Sequence, residues 1–393
     1  MSIEGRSDAG RGGRIRLGMV GGGEGAFIGA VHRLAARMDD HYEFVAGALS
    51  STPERCRRSG EALGLAADRI YDDFATMAKA EAARPDGIEA VAIVTPNHLH
   101  AGAAIAFLDA RIHVICDKPL TTSLAEARNI QAAVARSGRV FALTHNYTCY
   151  PLVRQARAMI AAGELGALRL VQVEYPQDWM TAPVEKQGLK QALWRVDPAK
   201  SGLGGALGDI GTHAFNLADY VSVLELVELS AELTAFGEGR ILDDNVQMML
   251  RYAGGARGAL WASQVAPGHE NGLRFRVYGT KGSLIWAQAE PNAMLYSVFG
   301  EPTRILTRGG PSLGQAAARA TRVPAGHPEG YLEGFANLYS DVALTIKAAR
   351  EGAPPPAGVE FPTIVDGVKG MAFMEAAVES SKANGKWVKP AKV

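Results

Sequence analysis

The chain is expected to fold as an α/β domain built on a parallel sheet, followed by an α+β domain with a large, mostly antiparallel open sheet. Three observations lead there. From Arg14 to about Thr144, short β-branched runs alternate with helical patterns; after Pro151 strand follows strand with turn-like glycines between them; and 393 residues, 47% of them hydrophobic and 21% charged, suffice for two cores.

In the first part, Ile15–Val20 reads as a strand, Ala26–Met38 as a helix, Phe44–Leu49 as a strand and Pro53–Leu63 as a helix. Then come strand Ala90–Val94, helix Leu99–Ala110, strand Ile112–Cys116, helix Leu124–Ser137 and strand Val140–Leu143. Pro53 in a first turn, and Ser123 with Glu126 three residues on, are helix-start signals. In the second part a helix, Pro151–Ala162, precedes a strand, Leu168–Glu174, a long loop and a short helix from about Ile210 to Val221. Strands are expected over Leu226–Phe236, Asn245–Tyr252, Arg257–Val265, Leu273–Tyr278 and Ser283–Ala287, and two helices, Gly330–Ala349 and about Thr363–Ala383, close the chain. The expected domains are 14–149 and 150–393, with the option that the C-terminal helices pack back on the first. Residues 1–13, polar, glycine-rich and aperiodic, are expected to be a disordered tail.

Charge removes several function classes. Lys plus Arg number 41 and Asp plus Glu number 41, so no net basic field exists to hold nucleic acid or an anionic membrane. No stretch approaches the roughly 18 apolar residues of a bilayer span, and the Arg- and Gly-rich start lacks a signal peptide's apolar core. The expected location is the cytoplasm. Cys56, Cys116 and Cys149 are far apart without C-x-x-C spacing, which fits reduced buried thiols, not disulfides or a zinc site.

The chemistry gathers at the ends of strands. After the first strand comes Gly21-Gly22-Gly23-Glu24-Gly25-Ala26, a G-x-G-x-x-A pattern opening a helix whose first residues are Phe27 and Ile28. Gly21 turns tightly, Gly23 lets the backbone approach a pyrophosphate, and Gly25, Ala26, Phe27 and Ile28 bring free helix amides to the anion. This predicts dinucleotide binding. At the end of the second strand, where an acid would hold a ribose 2′-hydroxyl, the sequence reads Ser50-Ser51-Thr52, with Arg55, Arg57 and Arg58 beyond. Hydroxyls with Arg55 would accept a 2′-phosphate; Ser51 would equally bond a plain ribose, and the arginines would equally be a solvated helix face. These residues leave NAD and NADP both open.

Thr95-Pro96-Asn97-His98-Leu99-His100 follows the strand Ala90–Val94, at the carboxyl end where such sheets bind ligands, so Thr95, Pro96, Asn97 and His100 are expected over the cofactor. No neighbouring set makes His98 and His100 a metal site, and no metal is expected. Asp117-Lys118-Pro119 ends the next strand and puts a lysine at the cofactor edge. In the second part, Asp209 and His213 stand four apart at a helix start, on one face, where a carboxylate can orient an imidazole for acid/base work. Taken alone, such a pair is more often a cap or a structural hydrogen bond.

Together these motifs resemble the Gfo/Idh/MocA family in order and spacing across about residues 14–290: the Gly21–Ala26 turn, Thr95 to His100, Asp117-Lys118-Pro119 where the family usually has Glu-Lys-Pro, and Gly205 with Asp209-Ile210-Gly211-Thr212-His213. The resemblance implies a Rossmann domain followed by a domain whose open sheet is often used for oligomerisation. It implies catalytic roles for Lys118, Asp209 and His213, an NAD(P)-dependent oxidation of a secondary hydroxyl on a cyclitol, sugar or glycoside, and a lean to NAD as the expected cofactor. It also implies two alternatives: an NAD-retaining glycosidase using transient oxidation, and a non-catalytic cofactor-sensing regulator, against which intact Lys118, Asp209 and His213 argue.

Polar and aromatic segments around this core suit a carbohydrate, whose C–H face packs on rings while its hydroxyls need polar partners: His145-Asn146-Tyr147, Gln177-Asp178-Trp179, Trp194-Arg195, Gln264 to Asn271, and His327. Tyr147, Gln177, Trp194, Arg195 and His327 are the expected substrate contacts beside Lys118, Asp209 and His213. Met248, Met249 and Leu250, and Leu260, Trp261 and Ala262, are apolar on both strand alternations, so one sheet face should need a partner. A homodimer or homotetramer is expected.

Overall fold

The computed structural model describes residues 13–311 and 313–393. The tail expected over 1–13 therefore lies, but for Gly13, outside the described residues. In chain order the first elements are β1 (Ile15–Gly21), α1 (Phe27–Met38), β2 (Tyr42–Ala48), α2 (Pro53–Ala62), α3 (Phe74–Ala83), β3 (Ala90–Val94), α4 (His100–Asp109), β4 (His113–Cys116), α5 (Leu124–Ser137) and β5 (Phe141–Leu143). Then come α6 (Pro151–Ala161), β6 (Leu168–Pro176), α7 (Lys190–Arg195), α8 (Pro198–Ser201), a π-helical turn (Leu207–Gly211) and α9 (Thr212–Ser222). The rest is β7 (Leu226–Thr234), β8 (Asn245–Tyr252), β9 (Arg257–Ser263), β10 (Arg274–Gly279), β11 (Gly282–Ala287), β12 (Ala293–Val298), β13 (Arg304–Thr307), α10 (Gln315–Ala320), α11 (Tyr331–Arg350) and α12 (Ile364–Lys382).

Two units result. The first takes the described residues up to Thr121, with Ala125–Asn146 and Tyr331–Val368; the second takes Thr122–Leu124, Tyr147–Gly330 and Lys369–Val393. The chain passes from the first unit to the second near residue 147, and α11 and the start of α12 belong to the first.

The first unit holds a five-stranded sheet in the order β2-β1-β3-β4-β5, every pair parallel. Both faces are covered, so β3 is apolar and buried at all five positions instead of alternating. The chain leaves β1 toward β2 on one side and resumes at β3 on the other. Their loops diverge, and the crevice that forms at the carboxyl ends is where open α/β sheets bind ligands. Helix α11 packs on α1 through His32, whose Nδ1 lies 2.8 Å from the Tyr339 hydroxyl and whose ring centre is 5.2 Å from that of Phe335. Helix α3 was not anticipated, although Asp73 caps it by accepting the Thr76 amide at 2.8 Å and its alanine-rich run favours a helix.

The second unit is an eight-stranded sheet in the order β13-β12-β11-β10-β6-β9-β8-β7, antiparallel except for β6 beside β9. Val173, Leu260, Val277 and Trp286 point to the face on which α6 and α9 lie, and all are buried. The later part of α12 packs on α9, with Phe373 stacked on Phe215 at 4.2 Å, and its end meets β7, where Ser380 and Ser381 accept the Ala231 and Leu233 amides at 2.9 and 3.0 Å. Strands β12 and β13 extend the sheet beyond what the sequence suggested. The apolar run in β8 resolves into the expected two faces: Met248 and Leu250 are buried, while Met249 is 57% exposed on the other side.

Buried imidazoles give the fold a predictable pH dependence. Burial pushes His32 and His113 down to about 4 and His145 to about 3. His113 uses its unprotonated Nδ1 to accept the Val140 amide at 2.9 Å. Below the ordinary histidine value of about 6.5 the unfolded chain binds protons that these native rings refuse, so stability falls with pH from about 6.5 toward 4, by about 1.4 kcal/mol per pH unit for each ring. Asp243 opposes this: burial pushes its carboxyl up to about 6, so the native state takes up a proton before the unfolded state does. Three groups against one leave a net loss. The urea midpoint should therefore drop between pH 7 and pH 5, and an unchanged or rising midpoint would refute the assignment of neutral rings.

Candidate active site

In the first unit, the turn from β1 to α1 is built by close approach. Gly21 has φ +78°. A Cβ on Gly23 would fall 2.6 Å from the Leu49 carbonyl oxygen and 2.7 Å from the Ser59 Oγ. The loop is stitched to α2 and its approach: the Gly23 amide donates to the Leu49 carbonyl at 3.2 Å and the Glu24 amide to the Ser59 Oγ at 3.0 Å. Helix α1 opens at Ala26 without a side-chain cap and without an acid in its first turn, while Phe27 and Ile28 are exposed and half-buried. Uncapped amides and the helix dipole together suit a diphosphate.

At the end of the second strand two arginines reach back to the glycine turn. Arg55 donates to the Glu24 carbonyl at 2.5 Å and Arg58 to the Glu24 carboxylate at 3.3 Å, so these arginines brace the glycine turn. Arg57 and Arg58 are each 66% exposed, in keeping with a solvated helix face. Ser50 receives the Thr52 amide at 3.3 Å, and Ser51 is exposed at the lip of the loop.

At the ends of β3, β4 and β5 three loops meet. Thr95 holds a buried Oγ1 with no hydrogen-bond partner, a polar atom placed to meet a ligand group. Pro96 leads into a 3₁₀ turn, Asn97–Leu99, whose first residue is buried. His100, expected over the cofactor, is fully buried instead: Nδ1 lies 3.0 Å from the Pro119 carbonyl and Nε2 2.9 Å from the Thr95 carbonyl. It fastens the β3 and β4 loops to each other. Asp117 Oδ1 accepts the Lys118 amide at 2.9 Å and the Thr144 hydroxyl at 2.8 Å, which fixes the backbone that carries half-buried Lys118 and the cis Lys118–Pro119 bond. His145 is kept neutral first by burial and then by the positive charge of Lys118, with Asp117 opposing. The buried Asn146 Nδ2 beside it in sequence has no hydrogen-bond partner.

In the second unit the glycine-rich run leads into the π-helical turn, an irregularity that often marks functional sites. Asp209 sits within it and His213 in the first turn of α9. Asp209 Oδ2 accepts Arg195 Nε at 3.1 Å and Gln264 Nε2 at 2.8 Å. The His213 ring meets Tyr147 edge to face at 4.8 Å, and the Tyr147 hydroxyl lies 2.6 Å from that of Tyr175. Gln177 donates to Asn271 at 2.8 Å and receives Trp179 Nε1 at 3.1 Å. The Arg195 guanidinium lies over Trp194 at 4.3 Å. Arg195 also lies over the Trp179 ring at 6.0 Å and Tyr147 bonds Asn271, so Tyr147, Gln177, Trp194, Arg195, Asp209 and His213 belong to one connected cluster. Arg195, expected on a substrate, spends its Nε on Asp209.

His327 does not join this cluster. Its side chain is exposed, and its carbonyl receives buried Arg308, which also pairs with Glu329 at 3.1 Å and so ties that loop to the β13 end of the sheet. Tyr175 and Asp243 were missed from the sequence. The strand run up to Gln177 pointed toward Tyr175, whereas nothing local marked Asp243. Among the described residues no group of three His, Cys, Asp or Glu could hold a metal, and no helix is long and apolar enough to cross a membrane.

The first unit therefore offers a diphosphate-binding turn and a lysine at the carboxyl edge of its sheet. The second offers an imidazole, a carboxylate, amides and phenols suited to a polyhydroxylated molecule. Two family profiles match the chain: an oxidoreductase family with an NAD-binding Rossmann fold over residues 15–145, and the GFO/IDH/MocA C-terminal domain over 153–285. An oxidoreductase structure from Sinorhizobium meliloti is 56% identical, with a TM-score of 0.87, covering 96% of this chain and 100% of that one. An inositol dehydrogenase homolog from Azotobacter vinelandii, in complex with NADH and myo-inositol, is 37% identical with a TM-score of 0.91, covering 96% and 97%. Levoglucosan dehydrogenase of Pseudarthrobacter phenanthrenivorans is 28% identical over 95% of this chain and 97% of its own.

Proposed function

Since the chain belongs to the Gfo/Idh/MocA family of oxidoreductases and carries that family's NAD-binding Rossmann fold, we propose that it oxidises a secondary hydroxyl of a cyclitol, sugar or glycoside. The observation that carries this reading is the second unit's cluster, in which Asp209 and His213 stand among Tyr147, Tyr175, Gln177 and Asn271. Relatives that act on levoglucosan or hold myo-inositol with NADH support it.

NAD, when bound, supplies the acceptor for the hydride leaving the carbinol carbon; the diphosphate would rest on the amides that open α1, with Thr95, Pro96 and Asn97 along the same edge. The chain's own part is the proton and the charge on oxygen. His213 takes the hydroxyl proton, Lys118 donates a hydrogen bond to the same oxygen as negative charge develops, and Asp209, held by Arg195 and Gln264, fixes the imidazole's surroundings. One C–H and one O–H bond break, a C=O bond forms, and NADH and a proton are released. The cytoplasm, where this cofactor is kept, is the proposed setting, and the buried Cys56, Cys116 and Cys149 suit it.

The test is a screen of cyclitols, aldoses and glycosides that follows NADH formation by absorbance. Steady turnover with one of them is the expected result, and no NAD reduction by any polyol, with NADH binding intact, would overturn the reading.

Assembly is proposed on the second unit's uncovered face. One row of outward side chains crosses the seven strands from β8 to β13, Met249, Ala259, Gln172, Arg276, Ile285, Leu295 and Ile305. Met249, Leu295 and Ile305 are 57%, 39% and 65% exposed. An identical sheet related by a two-fold axis would bury this row, covering roughly 800 Å² or more per subunit as stable interfaces do. Sedimentation equilibrium at low micromolar concentration should show a dimer or tetramer; a 41.6 kDa species at every concentration would sink the claim.

A further inference from the structure

Three consecutive backbone amides at the start of the segment that carries Asp209 and His213 are satisfied by one residue. Asp243 Oδ1 accepts the Gly205 amide at 2.9 Å, its main-chain oxygen accepts the Ala206 amide at 2.8 Å, and Oδ2 accepts the Leu207 amide at 2.7 Å. These are the donors a helix start leaves open, and here they are capped from the loop ahead of β8, not by a local side chain. The fit is close, since a Cβ on Gly205 would lie 2.1 Å from the Asp243 carbonyl oxygen.

The next residue, Asp244, is linked to Asp209 through Gln264. Asp244 is buried, and its side chain accepts the Phe236 and Gly237 amides at 2.9 and 2.8 Å and Arg240 Nη1 at 2.9 Å. Its carbonyl accepts the Gln264 amide at 2.8 Å, and Gln264 Nε2 donates to Asp209 Oδ2 at 2.8 Å. One turn of chain therefore governs both the helical segment that bears Asp209 and the amide that bonds its side chain.

We propose that Asp243 is a positioning residue that sets where Asp209 and His213 stand, by gripping three successive amides at the start of their helical segment. The proposal rests on the acid/base reading of those two residues. Its physical basis is that acid/base groups lose effectiveness steeply with displacement: about 1 Å can cost about 100-fold.

Asp243→Asn keeps the shape but turns one acceptor into an NH₂ group facing an amide donor. It should lower kcat about 100-fold, with the KM for NAD unchanged and thermal unfolding still cooperative. Gly205→Ala, which drives a methyl into the Asp243 carbonyl from the opposite side, should give the same kcat-selective loss. A folded Asp243→Asn enzyme with kcat within twofold of the parent would overturn the proposal. Failure of both variants to fold would overturn it too, by making Asp243 a support of the whole domain. Nitrogen NMR of the His213 imidazole, assigned by difference against His213→Gln, keeps this claim separate from the substrate reading. A shifted His213 signal in Asp243→Asn supports positioning even if no polyol is oxidised, and an unmoved signal refutes it even if one is.

Discussion

His213→Ala and Lys118→Ala should each lower kcat at least about 100-fold while NADH binds with nearly unchanged affinity. The two losses have different origins. Without His213, water must take the hydroxyl proton, and the general-base contribution of about 100- to 10,000-fold disappears. Without Lys118 the oxygen loses a cationic hydrogen-bond donor as its charge grows, a stabilisation present in the transition state more than in the ground state. The backbone that presents Lys118 is moored independently, through Asp117 to Thr144, so removing the side chain should leave the loop in place. Lys118→Arg, which keeps the charge but not the ammonium's shape, should recover only part of the loss. In the proposed reaction both side chains serve one step, so the double variant should be far less impaired than the product of the single effects. Either single variant with near-normal kcat on the true substrate would remove that residue from the mechanism. A large rise in the Kd for NADH would instead point to a binding role.

The sequence made the wound parallel sheet legible because a strand buried on both faces leaves an unbroken apolar run, as in Ala90–Val94, and because glycine and proline punctuate strand ends. The same punctuation located the Gly21–Ala26 turn, the Thr95 loop and Lys118. What was not legible depends on contacts far apart in sequence. His100 looks like a ligand-edge histidine until the carbonyls of Thr95 and Pro119 are seen to take both ring nitrogens. The bond from Arg55 to the Glu24 carbonyl, 31 residues away, has no local signal. Asp243 lies 38 residues from the Gly205 amide it caps, and no local pattern announces that. Strands β12 and β13 were passed over because they sit at the sheet's edge, where short segments with exposed residues such as Leu295 and Ile305 blur the alternation.

Gly23→Ala should weaken NADH binding by about 100-fold with little loss of fold stability. The added methyl would stand 2.6 Å from the Leu49 carbonyl oxygen, and backbone cannot swing aside as the end of a long side chain does. Either the glycine turn or the β2 end must move. Movement stretches two bonds at once, from the Gly23 amide to Leu49 and from the Glu24 amide to Ser59. The amides that open α1 travel with the turn, so donors aimed at the diphosphate are displaced together. Losing two hydrogen bonds to a charged group, at about 1.5 kcal/mol or more each, amounts to about 100-fold in affinity. The five-stranded sheet is untouched, so the fold should tolerate the change. Gly102→Ala is the control within the same unit: in α4 its methyl would meet only the Phe74 ring, at the ordinary contact distance of 3.5 Å. Its NADH affinity should match the parent's, and a helix-interior alanine should add about 0.5–1 kcal/mol of stability. Calorimetric titration of both variants with NADH decides the matter. If Gly23→Ala binds within threefold of the parent, the turn is not what holds the diphosphate.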